Sequence, residues 1–230
     1  DFEFYNGKEY APNLITEKAV SFIERNKHGP FFLYLPYTLP HVSLQAPEEY
    51  VKKYIGLFDE KPYYGQKGYA ANKFPFSTYA AMITYLDDQV GLIMKRIKEL
   101  GIDNNTFIMF SSDNGASAAG GANPDFFNSV RGLRGLKMDL FEGGIRMPFI
   151  ARWPGKIRAG SQTQHISAQY DVMATFAELT KQQLTTTDGI SFLPELLGKA
   201  TIQKKHPYLY FEYPENGGQV AIRMGKWKAI

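Results

Sequence analysis

Asn105-Thr-Phe-Ile-Met-Phe-Ser-Ser-Asp113-Asn114-Gly115 is the stretch on which the fold turns. Phe107, Ile108, Met109 and Phe110 run without a polar break, the pattern of a short strand covered on both faces. Immediately upstream, Tyr79, Met82, Ile83, Leu86, Val90, Ile93, Met94, Ile97 and Leu100 recur at helical spacing. Ser77 can cap that helix and Gly101 follows its end. A helix, then a buried strand whose last residues are polar, is the α/β pattern, in which ligands gather at the C-terminal ends of strands.

Working outward, the same alternation continues. Thr16–Lys27 reads as a helix stopped by Gly29-Pro30, and Phe31–Leu35 as a second strand apolar at every position. Pro36–Pro47 is a proline-stiffened loop containing His41, Pro47–Tyr54 a short helix, and residues 55–76 an ordered loop rich in glycine and aromatics. A glycine-rich loop over 115–147 holds Lys137. Pro148–Arg152 follows as a strand and Ala168–Thr180 as a helix. Tyr208–Tyr213, Gln219–Met224 and Lys226–Ile230 read as strands, the last two joined by a turn at Met224-Gly225. The expected fold is α/β: a mixed, largely parallel sheet covered by helices, with the start of a small antiparallel element at the C-terminus. Residues 1–204 form the first part and 205–230 the second. Phe31–Leu35, Phe107–Phe110 and Phe149–Ala151 are expected to be adjacent central strands.

Composition narrows the function. The 230 residues are 44% hydrophobic and 21% charged, which fits a globular chain. A net charge of +3, with no run of five Lys or Arg, leaves no nucleic-acid footprint. No apolar stretch is long enough to span a bilayer. The absence of cysteine excludes disulfides, thiolate metal sites and a Cys nucleophile in these residues. The sequence opens on Asp1, so it says nothing about a targeting segment.

Four groups could carry chemistry. Asp113 and Asn114 place two hard oxygen donors side by side at a strand end, suited to Ca²⁺ or Mg²⁺. Asn-Gly is also a common turn dipeptide, and the triplet alone reads first as a turn. His41, held between prolines, can donate to an anion or pass a proton; alone, it reads first as a surface or structural histidine. In Lys137-Met-Asp-Leu-Phe-Glu142-Gly143-Gly144-Ile-Arg146-Met-Pro148 the paired glycines permit unusual backbone angles or close approach, and Lys137 offers a point charge to sulfate or phosphate; alone, the segment reads first as a solvated lysine beside a turn. His28, His165 and His206 have no zinc spacing and read as structural or surface residues.

Together these segments resemble the type I, formylglycine-dependent sulfatases of the alkaline phosphatase superfamily. The likeness rests on Pro30-Phe-Phe-Leu-Tyr-Leu with Pro40-His41, on Tyr79 with Leu86-Asp87-Asp88-Gln-Val90-Gly91, on Asp113-Asn114-Gly115, and on Gly135-Leu-Lys137 with Glu142-Gly-Gly-Ile-Arg146-Met-Pro148. Asp171-Val-Met-Ala-Thr175 and Ala221-Ile-Arg-Met-Gly-Lys-Trp-Lys extend it over nearly the whole chain, as the C-terminal portion of such an enzyme. The resemblance implies that Asp113 and Asn114 ligate a divalent cation, calcium in most of the family. It implies that His41 contacts the sulfate or the bridging oxygen, and that Lys137 binds the sulfate or assists the leaving group. These four side chains are expected to converge at one end of the sheet.

The family's nucleophile is a formylglycine made within a Cys/Ser-x-Pro-x-Arg motif, and these residues contain none. The implied function is therefore hydrolysis of sulfate esters of carbohydrates or aryl compounds, with this chain alone inactive for want of the nucleophile region. Two alternatives stand beside it: a phosphodiesterase or phosphonate monoester hydrolase of the same superfamily, and a non-catalytic sulfoglycan-binding remnant. The implied partner is a sulfated small molecule or carbohydrate, with no nucleic acid and no membrane span. Oligomeric state is left open. The resemblance implies a periplasmic, secreted or lysosomal setting.

Overall fold

A computed structural model describes residues 7–215 and 217–230. It divides into two compact units: the described residues up to Asp103 together with Ser117–Ser129, and Asn104–Ala116 together with Val130–Ile230.

The first unit is helical. Helix α1 (Ala11–Asn26) starts earlier than the apolar spacing predicts, because Pro12 suits the first turn, where its missing N–H costs nothing. Its face of Thr16, Ala19 and Ile23 is buried. Helix α2 is the short Glu48–Val51. Helix α3 (Pro75–Glu99) is the long helix predicted from periodicity. Its cap differs from expectation. Ser77 lies inside the helix, and Glu60, from the preceding loop, takes the free amides of the first turn. The Glu60 carboxylate accepts from Phe76 N at 2.6 Å and Ser77 N at 3.1 Å, and from the Ser77 hydroxyl. A negative charge there also meets the positive end of a long helix.

The core of this unit is Leu39, Leu44, Met82 and Tyr85. The rings of Tyr10 and Tyr50 meet Tyr85 edge-on, with centroids 5.2 and 5.1 Å away. The excursion Ser117–Ser129 joins through Phe126 and Phe127, which pack on Phe58 and Phe76. Phe31–Leu35 departs from the reading of a buried strand. It is not assigned as strand, and its exposure alternates, with Phe32 69% and Tyr34 75% exposed. Phe31 instead turns onto Phe22 of α1, ring to ring at 6.0 Å.

The second unit holds every strand longer than a single bridge among the described residues. Strand β1 (Ile108–Ser111) pairs antiparallel with β2 (Phe149–Arg152), Met109 opposite Ala151. Both are less buried than their apolar runs predict, and Ile150 is 61% exposed. Between them lies the short helix α4 (Glu142–Ile145), and after them come α5 (Asp171–Thr180) and α6 (Leu193–Leu196). Strands β3 (Leu209–Tyr213), β4 (Gln219–Met224) and β5 (Trp227–Ala229) form the expected C-terminal antiparallel sheet, with the β4–β5 turn at Gly225. The described ladders are all antiparallel, where the sequence led us to expect largely parallel pairing. The physical reason is that the one other segment read as a central strand, Phe31–Leu35, is not assigned as strand, so no parallel neighbour for β1 arises among the described residues.

Asp171 organises the second unit. It is fully buried, and its carboxylate accepts from Ala168 N and Ile190 N, each at 2.8 Å, and bonds His206 Nε2 at 2.7 Å. Thr175, one turn along α5, accepts from Phe192 N at 3.1 Å. His206 is thus structural, in line with the sequence reading. No helix among the described residues is long and apolar enough to cross a membrane.

Candidate functional site

Strand β1 delivers the chain to Ser112, whose carbonyl accepts from Gln169 Nε2 at 2.8 Å. Beyond it the backbone turns. The Ser112 hydroxyl donates to Asn114 O at 3.2 Å, and Asn114 Nδ2 donates to Gly115 O at 3.0 Å. The donor end of the Asn114 amide is thus engaged within the turn, while its oxygen end and the exposed Asp113 carboxylate supply the acceptors.

The Lys137 loop is threaded through this turn backbone to backbone. Gly115 N donates to Gly144 O, Lys137 N to Ala116 O, and Gly143 N to Arg134 O, each at 2.7 Å. These approaches are possible only because three of the residues lack a side chain. A Cβ on Gly115 would stand 1.9 Å from Gly143 O, one on Gly143 2.0 Å from Gly135 O, and one on Gly144 2.1 Å from Asp139 O. None of these three has a positive φ, so the demand is for space rather than for a left-handed backbone. The motif glycines therefore lock the backbone of Lys137 to a residue three places past Asp113. Lys137 is half-buried, and among the described residues it pairs with no carboxylate. The nearby acid, Glu142, is already matched: its carboxylate takes Arg223 Nη1 at 3.0 Å and Lys228 Nζ at 3.1 Å.

Asp113, Asn114 and Lys137 thus belong to one compact arrangement in the second unit. His41 belongs to the first unit and is described within it. Its loop hangs between two buried anchors, Leu39 and Leu44, which pack on Met82 and Tyr85 of α3. His41 N donates to Thr38 O at 2.7 Å, Ser43 Oγ accepts from Ala70 N at 3.0 Å, and Asn72 Nδ2 donates to Leu44 O at 2.9 Å. The imidazole is exposed on a loop whose flanks are fixed. Gly120, of the excursion after the Asp113 turn, abuts Val42 beside it.

As to a metal, the donor set is suitable in kind and small in number. Asp113 and Asn114 offer two hard oxygens, where calcium takes six to eight. No group of three or more His, Cys, Asp or Glu among the described residues could hold an ion. Sequence reasoning overlooked Gln169, Gln219, Arg223 and Lys228, which brace the turn and the Lys137 loop. A signal existed for two of them: Gln219 and Arg223 fall on the same face of β4 as the buried Ala221, an alternation that turns polar side chains inward.

Comparison with known proteins bears on the family of the chain. The sulfatase family profile matches residues 1–182, and that of the C-terminal region of N-sulphoglucosamine sulphohydrolase matches residues 136–230. The chain is 31% identical over 95% of its length to the N-acetylgalactosamine-6-O-sulfatase of Bacteroides thetaiotaomicron, of which it covers 40%. It is 30% identical over 97% of its length to the N-acetylgalactosamine-6-sulfatase of Homo sapiens, covering 38%. It thus spans about two fifths of the length of the curated relatives it matches. Among solved structures, Ps i-CgsB in complex with k-i-k-neocarrahexaose superposes with a TM-score of 0.79 at 29% identity, over 97% of this chain and 46% of that one. With the family profile spanning most of the chain, and an alkaline phosphatase-like α/β fold shared with solved sulfatases, the chain belongs to the sulfatase family.

Proposed function

We propose that the complete protein hydrolyses sulfate esters of carbohydrates, and that this chain supplies part of its anion-binding machinery. The observation that carries this reading is the glycine-locked contact that fixes Lys137, without an acidic partner among the described residues, beside the Asp113-Asn114 turn. The names of the relatives support the substrate class: two act on the 6-sulfate of N-acetylgalactosamine, and a structural neighbour was solved with a neocarrahexaose.

In this reading Lys137 and His41 hold the sulfate oxygens. Asp113 and Asn114 would contribute two oxygen ligands to a divalent cation, calcium, which when bound neutralises the sulfate. Fixed positive groups aimed at a leaving alkoxide and at sulfonyl oxygens lower the barrier because they need not reorganise as charge develops. Lys137 is suited to this role, since its backbone is held and among the described residues no carboxylate pairs with its ammonium. A formylglycine is the family's nucleophile, and these residues contain neither Cys nor Ser-x-Pro-x-Arg to become one. The covalent step, which splits one hard displacement into two, therefore needs a residue outside this sequence.

The experiment compares two forms. The purified 230-residue chain shows no aryl sulfate hydrolysis above a Lys137→Ala, His41→Ala control, with or without calcium. A form that also carries a formylglycine segment upstream is active on sulfate esters in preference to phosphate diesters, and loses most of that activity on Lys137→Ala. Turnover by the 230-residue chain, abolished by Lys137→Ala, would show a nucleophile among these residues and overturn the proposal. So would an extended enzyme indifferent to Lys137→Ala.

A further inference from the structure

We propose that Gln219, on the C-terminal sheet, is a positioning residue for Lys137. This rests on the reading of Lys137 as an anion contact and extends it to a residue with no chemistry of its own.

The Lys137 loop runs over the inward face of β4 and is gripped there at two points. Gln219 Oε1 accepts from Leu140 N at 3.1 Å, and its Nε2 donates to Met138 O at 3.3 Å. One primary amide thus satisfies a backbone donor and a backbone acceptor two residues apart, as a neighbouring strand would. Two residues further along, Glu142 is held by Arg223 of β4 and Lys228 of β5. Together with the bond from Lys137 N to Ala116 O, these contacts fix the peptide plane that enters Lys137 and the two planes that follow Met138.

The loop needs such a grip. Met138 has φ +80°, the left-handed region that a side-chain-bearing residue rarely adopts. Residues hold such angles only where their surroundings over-determine them. Met138 is itself exposed, so its side chain contributes little restraint; the restraint comes from the turn around it, closed by Asp139 N to Leu136 O at 2.9 Å and Leu136 N to the Asp139 carboxylate at 3.0 Å, and from Gln219 on its carbonyl with the burial of Leu140 beyond. A long, flexible lysine presents its ammonium at a defined point only if its Cα–Cβ bond is fixed. Fixing it in advance removes part of the ordering cost of binding an anion.

The test uses the ¹⁵N-labelled 230-residue chain, titrated with sodium sulfate against sodium chloride at matched ionic strength and followed by amide resonances around Lys137. Hydrogen exchange at the Lys137 and Leu140 amides is measured in parallel. Gln219→Met keeps the length of the side chain and removes both hydrogen bonds. It is expected to raise the apparent sulfate Kd at least fivefold and to speed exchange at Lys137 and Leu140 at least tenfold, with the Phe176 amide in α5 unchanged. Gln219→Glu, which keeps the acceptor, restores protection at Leu140. Lys137→Ala, by contrast, is expected to leave exchange at Leu140 unchanged, so that the two variants weaken sulfate binding by different routes, and the effect of Gln219→Met, without any change at Phe176, is set apart from a general loosening of the unit. If Lys137→Ala abolishes the sulfate response while Gln219→Met leaves both the response and Lys137 exchange unchanged, the positioning role is refuted and the reading of Lys137 stands. If wild type and Lys137→Ala respond alike to sulfate, Lys137 is no anion contact and both fall.

Discussion

Replacing Gly115 with alanine puts a methyl group where the backbone of the Lys137 loop already is. The new Cβ would lie 1.9 Å from Gly143 O, 2.8 Å from Gly143 C and 3.0 Å from Gly144 C. Ordinary contact begins at 3.4 Å, and all three atoms are backbone, so no side chain can swing aside. The loop must retreat by more than an ångström. That retreat breaks the bond from Gly115 N to Gly144 O and pulls on the one from Lys137 N to Ala116 O, both 2.7 Å. Overpacking costs about 1–3 kcal/mol and a lost backbone hydrogen bond about 1 kcal/mol, while the reduced freedom of the unfolded chain returns about 0.4–1 kcal/mol. The net expectation is a loss of about 1–3.5 kcal/mol. The assay is urea unfolding by tryptophan fluorescence, because both tryptophans, Trp153 and Trp227, belong to the unit that contains Gly115. With a slope of about 2 kcal/mol per molar urea, the midpoint should fall by about 0.5–1.7 M. A fall of less than about 0.25 M would mean that the loop yields freely, and the claim that these glycines lock Lys137 in place would be refuted.

The other expectations are briefer. Asp171→Ala strands the amides of Ala168 and Ile190 and the imidazole of His206 in a fully buried site; with about 1–3 kcal/mol for each unsatisfied group it should cost at least about 3 kcal/mol, read by the same fluorescence. Gly91, exposed on α3 with nothing within 4 Å of its absent Cβ, is the counter-case: Gly91→Ala should stabilise the first unit by about 0.5–1 kcal/mol, seen as a higher helical melting midpoint by circular dichroism at 222 nm. The bond from the Tyr50 hydroxyl to Asp88, 2.7 Å, pushes the phenol up to about 12, with burial adding to it. Because the folded value is raised, that contribution is complete below about pH 10 and is lost as pH climbs through 12. Tyr50→Phe should therefore flatten stability between these limits, and an unchanged profile would count against the bond. Calcium should bind the chain weakly, through few ligands, and Asp113→Ala should abolish it; a tight calorimetric isotherm that survives Asp113→Ala would mean other ligands.

The elements legible in the sequence are those whose signal is local. The apolar period of α3 and the strand over Gln219–Met224 are properties of neighbouring residues, and each appears where the pattern puts it, while the hairpin turn falls one residue later than read, at Gly225-Lys226. The same holds for the site motifs. Asp113-Asn114-Gly115 and Glu142-Gly143-Gly144 stand out because glycines recur where two backbones touch, a demand that acts on residue identity directly. Only the tertiary structure decided the rest. Ser77 is a good cap by type, yet a carboxylate from another loop, Glu60, took its place. The apolar run of Phe31–Leu35 was read as buried on both faces, but burial depends on what lies alongside, and here alternate residues face outward. The partners of the Lys137 loop, Gln219 and Lys228, lie 79 and 86 residues from the atoms they hold. No local pattern encodes such pairs, because a hydrogen bond between distant residues is formed only when the packing of the intervening chain brings them within 3 Å of each other.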